Sequence, residues 1–507
     1  SARLAAVLGL DEQIVYEKMT QRDGFYYIAR RTDARIGDTL KEEPIEGVDV
    51  LPTVKRIYPQ GTLASHIIGY TDVDGKGIAG LEKAYDKTLR GEDGYVVADR
   101  DARGRLIPGS RKERREPEHG KDIVLTIDGT IQHALESELA KSYKAHSAVG
   151  ASAVVMDPNT GEVLALANMP TFDPNKISES DADSRRNRAI TDLYEPGSTL
   201  KVFTVAGALE DGVISPTDRF QCRGSMQIGR RTIRCSLHPP FMAGHGSCDP
   251  AKVLCYSCNM GAAQIGMKLG SERLYHYEKA FGLYDKPGTR MLGEVKGWHD
   301  DWKDWSTIRL TNVAFGQGIV VTPLQMAKAY SAAVNGGSLM RPYIIREVRK
   351  TDGTVDRTYG PRVVRKVLSE QNSALVRDML AGVVSEGTGK TARVEGYTVG
   401  GKTGSAQKAS TTSRGYAPGK FIASFAGVIP VTEPRLVILV AVDEPKGTHW
   451  GATVAAPVFQ GVAQKAMWHL KVPPDAAPRE SVPARDGHAE DTPGEKETPA
   501  GRPRLGG

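Results

Sequence analysis

The chain has 507 residues, 40% apolar and 25% charged, an ordinary balance for a globular protein of two to four domains. Its net charge of +6, from 67 basic and 61 acidic side chains spread along the chain, is too small and dispersed for a nucleic-acid groove. No apolar stretch approaches the roughly 20 residues that cross a bilayer, and the longest strongly apolar run, Leu436 to Val442, has the length of a strand. The chain begins at Ser1 rather than Met and shows no signal peptide, so a fragment or processed form is expected. Its 5 cysteines are an odd number, which leaves at least one thiol without an intrachain partner.

In chain order, residues 1 to about 118 are polar and charge-rich, with strand-like pieces at Gly24 to Arg30 and Gly94 to Asp101. The second piece ends in the turn Ala102–Arg103–Gly104. The charged run Ser110 to Pro117 reads as a surface connection, because it cannot supply a core. Patterning strengthens from about Lys121 to Lys471. Ile123 to Ile127 reads as a strand, and Ile131, Leu135 and Leu139 mark an amphipathic helix. Ala151 to Met156 and Glu162 to Ala167 flank Asp157–Pro158–Asn159–Thr160–Gly161 and read as a β-hairpin. A mainly helical stretch follows, including Pro323 to Val334 with a Gly336–Gly337 stop. Strands are expected at Tyr397 to Gln407, Phe421 to Val428 and Leu436 to Val442, and a helix at Val454 to Leu470. Val472 to Gly507, rich in Pro, Gly and charge, is expected to be disordered for want of apolar area.

The order of hairpin, helical block, three strands and final helix predicts an α+β fold. About five antiparallel strands would be covered by helices, with a largely helical insertion.

Three short segments can carry chemistry. Ser198–Thr199–Leu200–Lys201 follows the break Glu195–Pro196–Gly197 and leads into an apolar helical run. Ser198 would sit at a helix N-terminus, where free backbone amides favour developing negative charge. Lys201, three residues on, shares its face and could act as a base once desolvated. Taken alone, the segment reads as a helix cap, and Ser-x-x-Lys recurs at Ser405 to Lys408. Ser257–Cys258–Asn259 alone reads as a polar turn. Lys402–Thr403–Gly404–Ser405, after Val399–Gly400–Gly401, reads either as an edge strand guarded by lysine or as one along which a substrate backbone can lie.

Together and in this order, the three segments form the Ser-x-x-Lys, Ser-x-Asn, Lys-Thr-Gly set of penicillin-binding proteins and class A β-lactamases. The chain also resembles the class B penicillin-binding proteins, most closely the division-specific, FtsI-type transpeptidases. The resemblance runs through Arg56–Ile57–Tyr58–Pro59, His66 to Tyr70, Gly77 to Glu82, Asn187 to Ser198, Phe315–Gly316–Gln317–Gly318, Thr322 to Gln325 and Gly400 to Ala406. It implies an elongated N-terminal pedestal over residues 1–118, truncated at its start, and a transpeptidase domain over 119–471. It implies that Ser198 attacks a D-Ala–D-Ala stem peptide and that Lys201 accepts its proton. Ser257 and Lys402 would relay that proton to the leaving D-alanine. Asn259 would hold the substrate amide, and Thr403, Gly404 and Ser405 its carboxylate end. The N–H groups of Ser198 and Ser405 would form the oxyanion hole.

The resemblance further implies peptidoglycan stem peptides as substrate, β-lactams as inhibitors, and no cofactor or metal. Expected partners are a polytopic membrane glycosyltransferase and division proteins. Expected localisation is the cytoplasmic membrane, through a single upstream helix outside this chain, with the catalytic domain facing the periplasm. Ser405 stands where Thr is commoner, and Asn259 fits division-type better than elongation-type enzymes. Competing readings are an elongation-type transpeptidase, a β-lactamase, a D,D-carboxypeptidase or a β-lactam sensor.

Two features point elsewhere. Gly387–Thr388–Gly389–Lys390–Thr391 resembles the end of a phosphate-binding loop but has Val384 where that loop needs glycine. The cysteines, with His238 and His245, raise a metal or redox question. Cys255–Tyr256–Ser257–Cys258 overlaps the Ser257 motif and lacks a second C-x-x-C, so a structural role is expected. In an oxidising compartment Cys222 and Cys235 are candidates for a disulfide, although sequence alone does not fix connectivity.

Overall fold

The structure, a computed structural model, describes residues 1–21, 24–51, 53–101, 106–236, 243–410 and 415–476. The turn Ala102–Arg103–Gly104, His238 and residues 477–507 of the expected tail lie outside the described residues. Among the described residues no helix is long and apolar enough to cross a membrane.

The centre of the molecule is a five-stranded antiparallel sheet. In space its strands run Gly400–Ala409, Tyr416–Ile429, Leu436–Asp443, Gly150–Met156, Val163–Met169. Every residue of Gly150–Met156 is buried, as are the first seven of Leu436–Asp443. That is why these strands read as continuous apolar runs: helices cover both faces. On one face Ala153, Val155, Phe425, Ile438 and Val440 pack against Ile131, Leu135 and Leu139 of helix Gly129–Ala145 and against Phe459 and Val462 of helix Ala456–His469. On the other, Val154, Met156, Val437 and Leu439 meet helices Lys201–Glu210, Pro323–Val334 and Glu370–Ser385. Helix Pro323–Val334 is buried along its whole length and starts with a capping box between Thr322 and Gln325.

The helical insertion is less purely helical than its sequence implies. It carries the small strands Phe220–Cys222 and Gly246–Cys248, paired with each other, and a hairpin of Ser225–Ile228 with Arg231–Arg234. The N-terminal region also differs from expectation. Gly24 to Arg30 forms no strand, and short helices occupy Ala2–Leu8, Glu12–Met19 and Ala34–Glu42, clustered on Leu4, Ala5 and Val15. The run Ser110 to Pro117 is no mere connection, for Leu106–Arg115 pairs with Tyr95–Arg100 as a two-stranded ribbon. Cross-strand charge pairs such as Lys112–Asp99 (2.6 Å) support it without any core.

The first residues of the expected disordered tail are instead tied down. Asp475 accepts the Thr398 N–H (2.7 Å) and the Thr432 hydroxyl (2.6 Å), and the Val472 carbonyl accepts the Tyr397 hydroxyl (2.6 Å). A polar segment orders when backbone pairing satisfies it, even with little apolar area. The N-terminal region meets the sheet domain through buried apolar residues, Ala64, Ile67 and Leu81, and through polar contacts. Asn175 Oδ1 accepts the Tyr58 N–H (3.0 Å), Glu136 accepts the Ala64 N–H (2.8 Å), and a His66 ring nitrogen pairs with the Ser184 carbonyl (2.8 Å).

Leu135 is fully buried between helix and sheet. Leu135→Ala is expected to cost about 2–5 kcal/mol, through lost burial plus the cavity left behind. Scanning calorimetry checks this, and an unchanged unfolding midpoint would exclude the residue from the core.

Candidate active site

The Ser198 segment is a short 3₁₀ turn, Gly197–Leu200, that runs directly into helix Lys201–Glu210. Its position is held from three sides. Gly197 has φ 54°, a left-handed conformation that glycine alone adopts freely. Its N–H donates to the Gly316 carbonyl at 3.0 Å. The Tyr330 hydroxyl donates to the Thr199 carbonyl, and the Thr199 hydroxyl to that of Pro196, both at 2.7 Å. Glu195 clamps the entry: one carboxylate oxygen accepts the Gly318 N–H and the other the Tyr416 hydroxyl, each at 3.0 Å. Burial raises the Glu195 pKa, against the effect of these two donors.

Lys201 is fully buried. Its Nζ lies 3.0 Å from Ser198 Oγ, 2.6 Å from the Ser257 carbonyl, 3.2 Å from Ser257 Oγ and 2.6 Å from Asn259 Oδ1. Burial pushes its amine down to about 8, against the pull of the sulfurs of Cys235, Cys258 and Cys222. A neutral amine is therefore accessible near physiological pH, and it faces a serine hydroxyl at hydrogen-bond distance.

Ser257 and Asn259 flank the junction between helices Pro250–Cys255 and Asn259–Leu269. Ser257 has φ 56°, strained for a residue with a side chain. Cys258, fully buried, caps the second helix, its sulfur accepting the Gly261 N–H at 3.3 Å.

Lys402, Thr403 and Ser405 lie on the edge strand Gly400–Ala409, which packs on the Ser198 turn and on helix Glu370–Ser385. Lys402 is completely buried, so the lysine does not guard an exposed edge. Its Nζ donates to the Thr403 carbonyl (3.1 Å) and lies 3.5 Å from Thr403 Oγ1. Burial first, and the charge of Lys201 second, hold its pKa well below the ordinary lysine value. Repulsion between the two lysines is thus secondary to desolvation. At Gly404 a Cβ would stand 2.4 Å from Ser424 Oγ and 3.1 Å from the Pro196 carbonyl, so only glycine lets the strand approach the serine turn. Ser405 Oγ accepts the Gly451 N–H at 3.1 Å.

The structure thus places Ser198, Ser257 and Asn259 around the Lys201 amine, with Lys402 close enough to feel its charge. Three neighbours of this site went unassigned in the sequence: Glu195, Tyr416 and Thr388. Thr388 belongs to the apparent phosphate loop, yet its hydroxyl pairs with that of Thr403 at 3.0 Å. Glu195 sits inside the quoted Asn187–Ser198 segment, which was its only signal. The second Ser-x-x-Lys plays another part, since Lys408 forms ion pairs with Asp443 and Glu444, each at 2.8 Å. The candidate Cys222–Cys235 disulfide does not form: neither thiol is in a disulfide, and the Cys235 sulfur instead lies 3.9 Å from that of Cys258.

Comparison with known proteins places the chain in a family. Residues 151–464 match the penicillin-binding protein transpeptidase domain, and residues 2–125 the penicillin-binding protein dimerisation domain. Stage V sporulation protein D of Bacillus subtilis is 37% identical over 481 residues, covering 94% of this chain and 74% of that protein. The peptidoglycan D,D-transpeptidase FtsI of Escherichia coli is 32% identical over 456 residues, covering 89% and 74%. Among solved structures, apo penicillin-binding protein 3 of Mycobacterium tuberculosis aligns with a TM-score of 0.74 at 32% identity, covering 83% of this chain and 92% of that one. The chain belongs to the penicillin-binding proteins with a transpeptidase domain. Within them it is a class B protein of the FtsI type.

Gly316 (φ 90°) tests how closely the Ser198 turn is held, because a Cβ there would lie 1.9 Å from the Gly197 carbonyl. Gly316→Ala is expected to displace the turn and slow penicillin acylation about 100-fold. Stopped-flow acylation kinetics check it, with circular dichroism to verify folding.

Proposed function

We infer that this protein is a peptidoglycan D,D-transpeptidase that cross-links stem peptides in septal wall synthesis through a serine acyl-enzyme, and that β-lactams target it. The observation that carries the mechanism is Lys201 Nζ, fully buried and 3.0 Å from Ser198 Oγ. Membership of the FtsI-type family supports the substrate. A related Mycobacterium tuberculosis penicillin-binding protein 3, solved with aztreonam, supports β-lactam binding.

In this reading neutral Lys201 accepts the Ser198 proton as Oγ attacks the penultimate D-Ala carbonyl carbon. The oxyanion is held by the N–H groups of Ser198 and Ser405. The bond to the terminal D-alanine breaks, and that nitrogen takes up a proton relayed through Ser257 and Lys402. Asn259 orients the substrate amide. Thr403, Gly404 and Ser405 line the position of its carboxylate, with Thr388 fixing the Thr403 hydroxyl. The amine of a second stem peptide then attacks the ester, forms the cross-link and restores Ser198. Residues 1–118 serve as the pedestal and 119–471 as the catalytic domain. A membrane segment preceding this chain anchors it beside a polytopic glycosyltransferase and division proteins, with the site facing the periplasm.

Labelling with a fluorescent penicillin tests the nucleophile. Wild type is expected to form a long-lived adduct at Ser198 and Ser198→Ala none; an adduct on Ser198→Ala would overturn the assignment. Rapid loss of the label would mark a β-lactamase or D,D-carboxypeptidase instead. The pH profile tests the base. The Lys201 amine is held down to about 8, so its basic form grows as pH rises through that value, and acylation should accelerate over the same interval. Lys201→Arg, which keeps the charge but cannot deprotonate, should abolish the acceleration.

A further inference from the structure

The geometry points to a structural zinc site formed by Cys222, Cys235, His245 and Cys258, beside the active site and distinct from its chemistry. The sequence assigned no metal here. Folding gathers four ligands that are far apart in the chain. Cys222 ends the strand Phe220–Cys222, and Cys235 follows the hairpin strand Arg231–Arg234. His245 precedes Gly246, which pairs with Cys222 across the two small strands, and Cys258 caps helix Asn259–Leu269.

The four ligand atoms all lie within 4.8 Å of one another. His245 Nδ1 is 3.5 Å from the Cys222 sulfur and 3.5 Å from that of Cys235, and the Cys235 and Cys258 sulfurs are 3.9 Å apart. Tetrahedral zinc, with bonds of about 2.3 Å to sulfur and about 2.0 Å to nitrogen, requires S···S separations of about 3.8 Å and S···N of about 3.5 Å. The observed separations are close to the edges of that tetrahedron. A disulfide needs sulfurs about 2.05 Å apart.

A second observation is independent of these distances. Two backbone amides are aimed at the sulfurs: Asn259 N–H donates to Cys235 (3.2 Å) and Gly261 N–H to Cys258 (3.3 Å). Such donors stabilise metal-bound thiolates. Cys222, His245 and Cys258 are buried and Cys235 half-buried, which leaves no open coordination position for substrate. Three sulfurs and one imidazole fit a closed structural zinc site. Loading releases the thiol protons to solvent.

The consequence lies one bond away from the catalytic groups. Cys258 stands between Ser257 and Asn259, and Asn259 Nδ2 donates to the Arg234 carbonyl beside Cys235 (3.2 Å). The ion would pin the hairpin to the helix that carries Asn259 and fix both motif residues against Lys201. Cys222, Cys235, His245 and Cys258 are thus positioning residues.

The test is metal content of the purified chain kept under reducing conditions. Elemental mass spectrometry after desalting is expected to find one zinc per chain, and a mercurial thiol reagent should release it to a chromogenic indicator. Cobalt substitution is expected to give thiolate charge-transfer and tetrahedral ligand-field bands. Cys235→Ser and His245→Ala should lose the metal, whereas Cys248→Ser and Cys255→Ser, at cysteines outside the quartet, should keep it. Absence of both zinc and cobalt from the native chain would overturn the site. So would equal metal loss in Cys248→Ser, or peptide mapping that shows Cys235 and Cys258 bridged in the purified protein. None of these readouts involves penicillin labelling, so the site can fail without the Ser198 assignment failing.

Discussion

One buried amine sets the terms for this protein. Removing Lys201 from water disfavours its charged form, and that cost is what makes a neutral amine accessible at moderate pH. The cost is tolerable only because oxygen atoms from Ser198, Ser257 and Asn259 surround it. Ser198 comes from the amine's own motif and Ser257 and Asn259 from a segment more than fifty residues on, so one polar group that has to be satisfied joins two of the three motifs. The second lysine follows the same logic: Lys402 is equally buried and hydrogen-bonded to its own strand.

The sheet supplies the rigidity this arrangement needs. Both of its faces are covered, and the apolar layer on one side carries helix Lys201–Glu210, whose residues Lys201 to Leu209 are all buried. The serine turn is then fitted to the edge strand by the absence of side chains. Gly197, Gly316 and Gly404 sit where a Cβ would meet, respectively, Ala406 at 3.0 Å, the Gly197 carbonyl at 1.9 Å and Ser424 Oγ at 2.4 Å. Glycine here is needed for closeness of approach, and closeness places Ser198 against the strand that bears Lys402.

The cysteine-rich corner adds a constraint of a different kind. It fastens a polar hairpin, which has little apolar surface of its own, to the helix start that presents Asn259. A site of this sort would tie down an arm that borders the active site and reaches the core through little more than Ile233, Met226 and Ile228.

Much of the fold was legible in the residues. The five strands and the helices around Leu135, Pro323 and Phe459 follow from period and from continuous apolar runs, because burial on both faces leaves that mark. The three motifs, with Pro196 and Gly197 breaking the chain before Ser198, marked the candidate site, since the proposed nucleophile and base are local neighbours. Local pattern failed where stability is not local. The ribbon of Leu106–Arg115 is held by cross-strand charge pairs, and residues 472–476 are held by hydrogen bonds to distant backbone. The partners of Glu195 and Thr388 are non-local too, and no spacing reveals them. The sequence alone determined which groups are candidates to react. Tertiary structure alone decided that Lys201 loses water, that Lys402 feels its charge, and that Cys235 meets Cys258 rather than pairing with Cys222. Desolvation and distance are properties of the packed chain, not of neighbours along it.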